Sequence, residues 1–292
     1  MSPQELRRMY ELEDTYWWFV GRRSVLRAWL ARMARDLPPE PAILDIGCGT
    51  GGNALLLREF GRVTGMDRSE AALELCRERG LSDLILSTAE DPRIPDSSYD
   101  LVTLLEVLEH VEQDTRAAQE ACRVLRPGGR LLVTVPAYPW VWSEHDEALG
   151  HVRRYTRRGL RDLLTGAGFR VTRLSHCVTV LLPVTLAFRL AQRAWRRLTG
   201  PKADGPRSGL VLLPRPVSAV FVWSLRVEAS VLSRACLPVG VTLIAEAHKP
   251  PSAAAREDAS AQGRCAGAAS VMMQGSRHTT PEVDGDDPPD GT

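Results

Sequence analysis

Apolar positions change their period near residue 42. Residues 1 to 37 carry apolar side chains at helical spacing and stop at Pro38-Pro39, where proline drives its predecessor out of the α region. Beyond this, short apolar runs alternate with helical stretches. Residues 43–46 read as a buried strand, 53–60 as a helix, 63–66 as a strand and 70–79 as a helix. Strands follow at 84–86 and 99–105, a helix at 115–125 and a fifth strand at 130–135. Such alternation implies right-handed crossovers and a mostly parallel sheet covered on both faces, a doubly wound α/β fold. A loop over 136–155, a helix over 158–167 and a sixth strand over 169–178 continue the pattern. The seventh strand, 241–247, comes after about sixty residues, longer than ordinary connections. The predicted organisation is an N-terminal helical cap (1–40), a core (41–178), a helical insertion (179–240), the last core strand (241–249) and a disordered tail (250–292) poor in apolar residues.

A length of 292 residues with 44% hydrophobic content suffices for one substantial core. The net charge of +1 gives no reason to expect a nucleic-acid partner. Cys48, Cys76, Cys122, Cys177, Cys236 and Cys265 form no Cys-x-x-Cys pair, and the charged start Met1-Ser2-Pro3-Gln4-Glu5-Leu6-Arg7-Arg8 does not read as an export signal. Reduced thiols in a cytoplasmic protein are expected. The longest charge-free apolar run, 177–188, is too short to span a bilayer.

The first core strand runs into Asp45-Ile46-Gly47-Cys48-Gly49-Thr50-Gly51 and then a helix, which places backbone N–H groups at the carboxyl edge of the sheet. Gly47, Gly49 and Gly52 also satisfy a dinucleotide-binding spacing, with Asp67 at the distance of a ribose partner. Asp45 argues against that reading, because a carboxylate there would repel a pyrophosphate and suit a cofactor carrying an ammonium group. Two further motifs are Tyr99-Asp100-Leu101-Val102 opening the fourth strand and Arg123-Val124-Leu125-Arg126-Pro127-Gly128-Gly129 before the fifth. With them, residues 42 to about 172 resemble the class I S-adenosylmethionine-dependent methyltransferases. The resemblance implies a Rossmann-like sheet and S-adenosylmethionine as cofactor. It also implies that the backbone around Gly47, Cys48 and Gly49 meets the methionine part, that Asp45 holds its amino group and that Asp67, followed by Arg68, takes the ribose hydroxyls. Ser87-Thr88-Ala89-Glu90 would meet the adenine, with Leu105 and Glu106 near the cofactor; the family often has aspartate where Thr88 stands.

Methyl transfer from a sulfonium is an in-line displacement that depends mostly on proximity in a dry site. One aromatic group, Tyr10, Tyr16, Trp17, Trp18 and Phe19 beside Gly21-Arg22-Arg23, is expected in part to cover the cleft. The loop after the fifth strand is dense in titratable groups, and His145, Asp146 and His151 are expected to orient the acceptor or remove its proton. Glu106, Glu109 and His110, at i and i+3 spacing at the start of a helix, could converge on a divalent ion such as magnesium. This segment is similar to the Glu-x-x-Glu-His motif of ubiquinone-biosynthesis O-methyltransferases and small-RNA 2′-O-methyltransferases, which implies His151 as a further ligand.

The insertion holds two apolar stretches, 180–198 and 216–232, the first becoming basic at Arg189, Arg193, Arg196 and Arg197. A helical hairpin or dimer surface is the plainer expectation for it; the other is a peripheral contact with the inner face of the membrane. The chemistry expected is O-methylation of a small-molecule or lipid-linked hydroxyl, with N- and C-methylation left open. The competing readings are a Rossmann-type NAD-dependent oxidoreductase and a non-catalytic cofactor-binding scaffold.

Overall fold

A computed structural model of the chain describes residues 3–183, 186–187 and 213–251. Its seven strands are β1 (Ala42–Ile46), β2 (Arg62–Asp67), β3 (Leu84–Leu86), β4 (Tyr99–Leu105), β5 (Leu125–Pro136), β6 (Arg170–Cys177) and β7 (Thr242–His248), in the spatial order β3-β2-β1-β4-β5-β7-β6. Pairing is parallel from β3 through β5, while β7 runs antiparallel between β5 and β6. The doubly wound, mostly parallel expectation therefore holds. Strand order reverses between β1 and β4, which opens a ligand crevice at their carboxyl ends.

The helices include α1 (Pro3–Leu12), α2 (Trp17–Met33), α3 (Gly52–Leu57), α4 (Glu70–Glu78), α5 (Asp114–Val124), α6 (Glu144–Leu149), α7 (Arg157–Gly166) and α8 (Arg215–Leu232). One face of the sheet packs Leu44, Val102, Leu131 and Val133 with α5 and α7; the other packs Ile43, Leu101, Leu132 and Ile244 with α2, α3 and α8. Both faces of each central strand are buried, which is why β1 and β4 read as mostly apolar runs. Gly21 lets α2 and α8 approach closely, since a Cβ there would stand 2.2 Å from Leu225 Cδ1.

Several expectations need correction. The N-terminal helical stretch breaks at residues 13–16, where Tyr16 is extended and Glu13 turns inward. The fifth strand begins at Leu125 rather than 130, because Gly128 N–H donates to Lys249 O and Lys249 N–H to Gly129 O, pairing the Pro-Gly-Gly segment. The loop over 136–155 contains α6, whose Ser143 cap accepts from His145 N–H while Asp146 accepts in return from Ser143 N–H, before Gly150 stops it at φ +70°. The helix expected to begin at Glu106 is only a 3-10 turn over Leu108–His110, since Glu106 has φ +60° and Val107 is also non-helical. Most of the stretch 180–198, and the tail from residue 252, lie outside the described residues.

Candidate active site

The turn after β1 stands at the crevice. Gly47, Gly49 and Gly51 have φ of +71°, +55° and +86°, where a side chain would be strained, and a Cβ on Gly47 would lie 2.5 Å from Val107 Cγ2. Gly47 and Cys48 both donate to Met66 O, at 2.7 and 3.0 Å, so the end of β2 holds the turn. Asp45 is buried at the tip of β1. Its Oδ1 accepts a 2.6 Å hydrogen bond from Thr103 Oγ1, and its buried Oδ2 has no partner. Burial, reinforced by Asp67 and Glu13, pushes this carboxyl up to about 7 against the pull of the Thr103 hydroxyl.

Asp67 closes β2 and is partly exposed. It accepts from Gly49 N–H at 3.0 Å and Ser69 N–H at 2.9 Å, one bond to each oxygen, so it braces the turn while lone pairs remain. Arg68 is exposed beside it. At the next position along the edge, Thr88 is exposed and bridged to Asp91, whereas Ala89 is buried against the core. Leu105 is buried at the end of β4.

Sequence reasoning missed the contribution of residues 9–13. Glu13 is buried against the glycine turn, where its Oε2 accepts from Thr50 Oγ1 at 2.5 Å and from Arg79 Nη2 at 3.1 Å. A Cβ on Gly52 would stand 2.2 Å from the Glu13 carboxyl carbon, and one on Gly49 would stand 3.6 Å from Met9 Cε. The N-terminal cap thus sits on the cofactor turn. Burial raises the Glu13 carboxyl, opposed by the Thr50 hydroxyl and Arg79. The one signal in the sequence was Gly52 itself, a glycine in helical rather than left-handed conformation.

On the acceptor side the structure divides the expected metal set. Glu106 pairs with Arg22 Nη2 of α2 at 2.9 Å and lies beside the other three without sharing their point of convergence. Glu109, His110 and His151 converge, each offering a ligand atom within 4.8 Å of the others. Glu109 is fully buried with both carboxylate oxygens unpartnered, and burial followed by the nearby Glu106 charge holds it well above the usual carboxylate range. Burial, with His151 beside it, lowers His110, whose ring centroid is 4.7 Å from that of His151. His151 Nδ1 meets Asp146 Oδ1 at 3.0 Å, leaving Nε2 for other chemistry. Asp146 is fully buried and also receives Arg154 Nε at 2.7 Å and Ser143 N–H at 2.9 Å. Burial opposes its charge, but His151 and Arg154 prevail and keep it well below the usual range. His145 is exposed on α6, outside this group. Tyr155 O–H donates near Leu108 O and Asp114 Oδ2, at 3.1 and 2.8 Å, fastening the loop to the 3-10 turn.

Residues 44–133 match the family of methyltransferase domains. A probable S-adenosylmethionine-dependent methyltransferase of Mycolicibacterium smegmatis is 33% identical over 165 residues, covering 55% of this chain and 62% of that one. The ubiquinone biosynthesis O-methyltransferase of Hydrogenovibrio crunogenus is 29% identical over 141 residues, covering 44% and 58%. The chain spans about half the length of the curated relatives it matches first. Among solved structures, an S-adenosylmethionine-dependent methyltransferase of Thermotoga maritima, described as a possible histamine N-methyltransferase, shares the fold with a TM-score of 0.52 and 22% identity, covering 84% of this chain and 97% of that one.

Proposed function

We propose that the chain is a class I S-adenosylmethionine-dependent methyltransferase, on the match of residues 44–133 to methyltransferase domains and the likeness to its relatives, and that it methylates a hydroxyl of a small-molecule or lipid-linked acceptor. The observation that carries the cofactor half is the unpartnered, buried Oδ2 of Asp45 beside the left-handed glycine turn. A buried carboxylate without a partner fits an ammonium group and would repel a pyrophosphate. That distinction favours S-adenosylmethionine over NAD. The hydroxyl half is supported by the named O-methyltransferase among the relatives and by the imidazole–carboxylate group at the acceptor side.

S-adenosylmethionine supplies an electrophilic methyl group on a sulfonium. In this reading Asp45 binds the amino group, Gly47, Cys48 and Gly49 offer backbone groups and Asp67 takes the ribose hydroxyls. Thr88 and Ala89 border the adenine, and Glu106, held by Arg22, shapes the wall between cofactor and acceptor. Asp146 fixes the orientation and tautomer of His151 rather than taking a proton itself, because its oxygens are already engaged by several donors. His151 Nε2 is then free to remove the acceptor proton.

A second use of the same imidazole is favoured by Glu109. Two partnerless carboxylate oxygens next to two imidazoles fit a divalent cation, which would be held by Glu109, His110 and His151 and would supply Lewis acidity toward the acceptor oxygen. Two nitrogen donors and one carboxylate suit zinc, iron or manganese better than magnesium. Native mass spectrometry for a retained nucleoside, followed by labelled-methyl transfer to a panel of phenols, alcohols and amines, tests the proposal. Label on a hydroxyl supports it. Binding of NADH with no response to S-adenosylmethionine would overturn the cofactor half, and label only on nitrogen or carbon the acceptor half.

A further inference from the structure

Helix α8 has two unlike faces. Leu225, Glu228, Ala229 and Leu232 are buried, with Glu228 accepting the backbone N–H groups of Val178 and Thr179 at the end of β6. On the opposite side Val217, Val220, Trp223, Val227 and Val231 are 41, 62, 65, 45 and 43% exposed. Their spacings of three, three, four and four residues keep them on one stripe, which at 1.5 Å per residue is about 21 Å long. Beside it the exposed charges are Arg215, Arg226 and Arg234. The two acidic residues between 213 and 251, Glu228 and Glu246, are both buried, so no exposed carboxylate balances the arginines on this segment.

We propose that this face of α8 is a membrane-docking surface that lays its valines and Trp223 into the interface of an anionic bilayer, with Arg226 and Arg234 on the lipid phosphates. An apolar stripe of valine with a central tryptophan, whose exposed charged neighbours on this segment are arginines, matches the chemistry of interfacial helices. A second copy of the chain fits less well. A two-fold pairing through Trp223 would set arginines against arginines with no acid on the face to receive them. No described helix is long and apolar enough to cross a membrane, so the contact would lie in the interface plane. The stripe adjoins the N-terminal cap, since Trp17 packs on Phe221 with ring centroids 4.9 Å apart and Leu12, Tyr16, Trp223 and Arg226 line one cleft. Docking there would bring a lipid-borne acceptor to the side of the cap that closes the cofactor turn. The surface itself does not depend on methyl transfer.

The test is flotation of the full chain with vesicles of equimolar phosphatidylglycerol and phosphatidylcholine, against phosphatidylcholine alone, at low and high salt. Wild type should float with the anionic vesicles at low salt and be released by high salt. V220S/W223S/V227S should lower the bound fraction about tenfold, and R226E/R234E should abolish the preference for anionic lipid. Calorimetric binding of S-adenosylmethionine by both variants checks that they fold, and its loss in wild type would fault the cofactor reading without touching this one. The proposal is overturned if wild type does not float or if the triple variant floats equally well. Conversion of a wild-type dimer to a monomer by the triple variant would assign the face to a second copy. A large drop in its melting temperature would assign the face to packing within the chain, and either result would overturn docking.

Discussion

Asp45 offers the most direct test of the cofactor site. Without ligand its carboxyl is pushed up to about 7, first by burial and then by the charges of Asp67 and Glu13. A cofactor ammonium is stabilised by the ionised form alone. Between about pH 7 and pH 5.5 the ionised fraction falls from about one half to about 3%, so the affinity for S-adenosylmethionine should weaken about 16-fold, or about 1.6 kcal/mol. An α-amino group of ordinary pKa, about 8, stays protonated across that window and does not contribute. Asp45→Asn keeps the shape and can still accept from Thr103 Oγ1, but it removes the charge. Calorimetry should show binding weaker by roughly 1.5–3 kcal/mol at neutral pH, with the acid dependence gone. The apo protein should respond in the opposite sense. A carboxyl raised from 3.8 to about 7 by folding gives stability that is complete below its unfolded value and lost as pH rises through 7. Apo Asp45→Asn should therefore melt above apo wild type at neutral pH and lose that advantage in acid. A flat wild-type binding profile, together with unchanged affinity in the variant, would remove Asp45 from the site.

Gly47→Ala forces a side chain into a backbone at φ +71° and against Val107; equilibrium dialysis should show cofactor binding weakened at least about fivefold, from strain of about 1–3 kcal/mol. Glu13→Ala leaves Thr50 Oγ1 without its acceptor and Arg79 with one fewer, so thermal or urea melts should show a loss of about 1–3 kcal/mol. In stopped flow its cofactor dissociation should also be faster, because the cap is less firmly seated on the turn. On the metal reading, chelator should stop methyl transfer by wild type while leaving cofactor affinity unchanged, and Glu109→Gln should do the same without rescue by added metal. If chelator has no effect and His151→Asn lowers turnover with an altered pH profile, the imidazole works as a base instead.

The order of elements was legible because a parallel sheet buried on both faces must announce each strand as an apolar run. Ile43, Leu44 and Ile46, or Leu101 to Leu105, can be nothing else at that length. What misled was the edge of this rule. Residues 125–129 contain proline and two glycines and look like a turn, yet they stay in β5 because the chain at Lys249 pairs with Gly128 and Gly129 from a distance of 120 residues in sequence. The break between α1 and α2 was hidden for the opposite reason. Its cause is not a helix breaker but a carboxylate, Glu13, drawn inward by Thr50 and Arg79, partners 37 and 66 residues away.

The same distinction separates the two halves of the site. The cofactor half is built from consecutive residues whose backbone does the binding, so glycines at fixed offsets from a strand end record it in sequence. The acceptor half is assembled from separate segments, and spacing along the chain says little about it. Glu106 and Glu109 looked equivalent at i and i+3 on a helix, but the positive φ of Glu106 abolishes that helix and turns its carboxylate to Arg22, while Glu109 faces the two histidines. His145 and His151 looked equivalent within one loop, but the capping box at Ser143 and Asp146 sets His145 at an exposed position of the first turn, while the same Asp146 orients His151. One residue thus caps a helix and aims an imidazole, and that double use explains why Asp146 is fully buried in a stretch that reads as a loop dense in titratable groups. It follows that Asp146→Asn, which keeps the cap geometry but removes the charge and one acceptor, should leave α6 folded and still impair whichever task His151 performs.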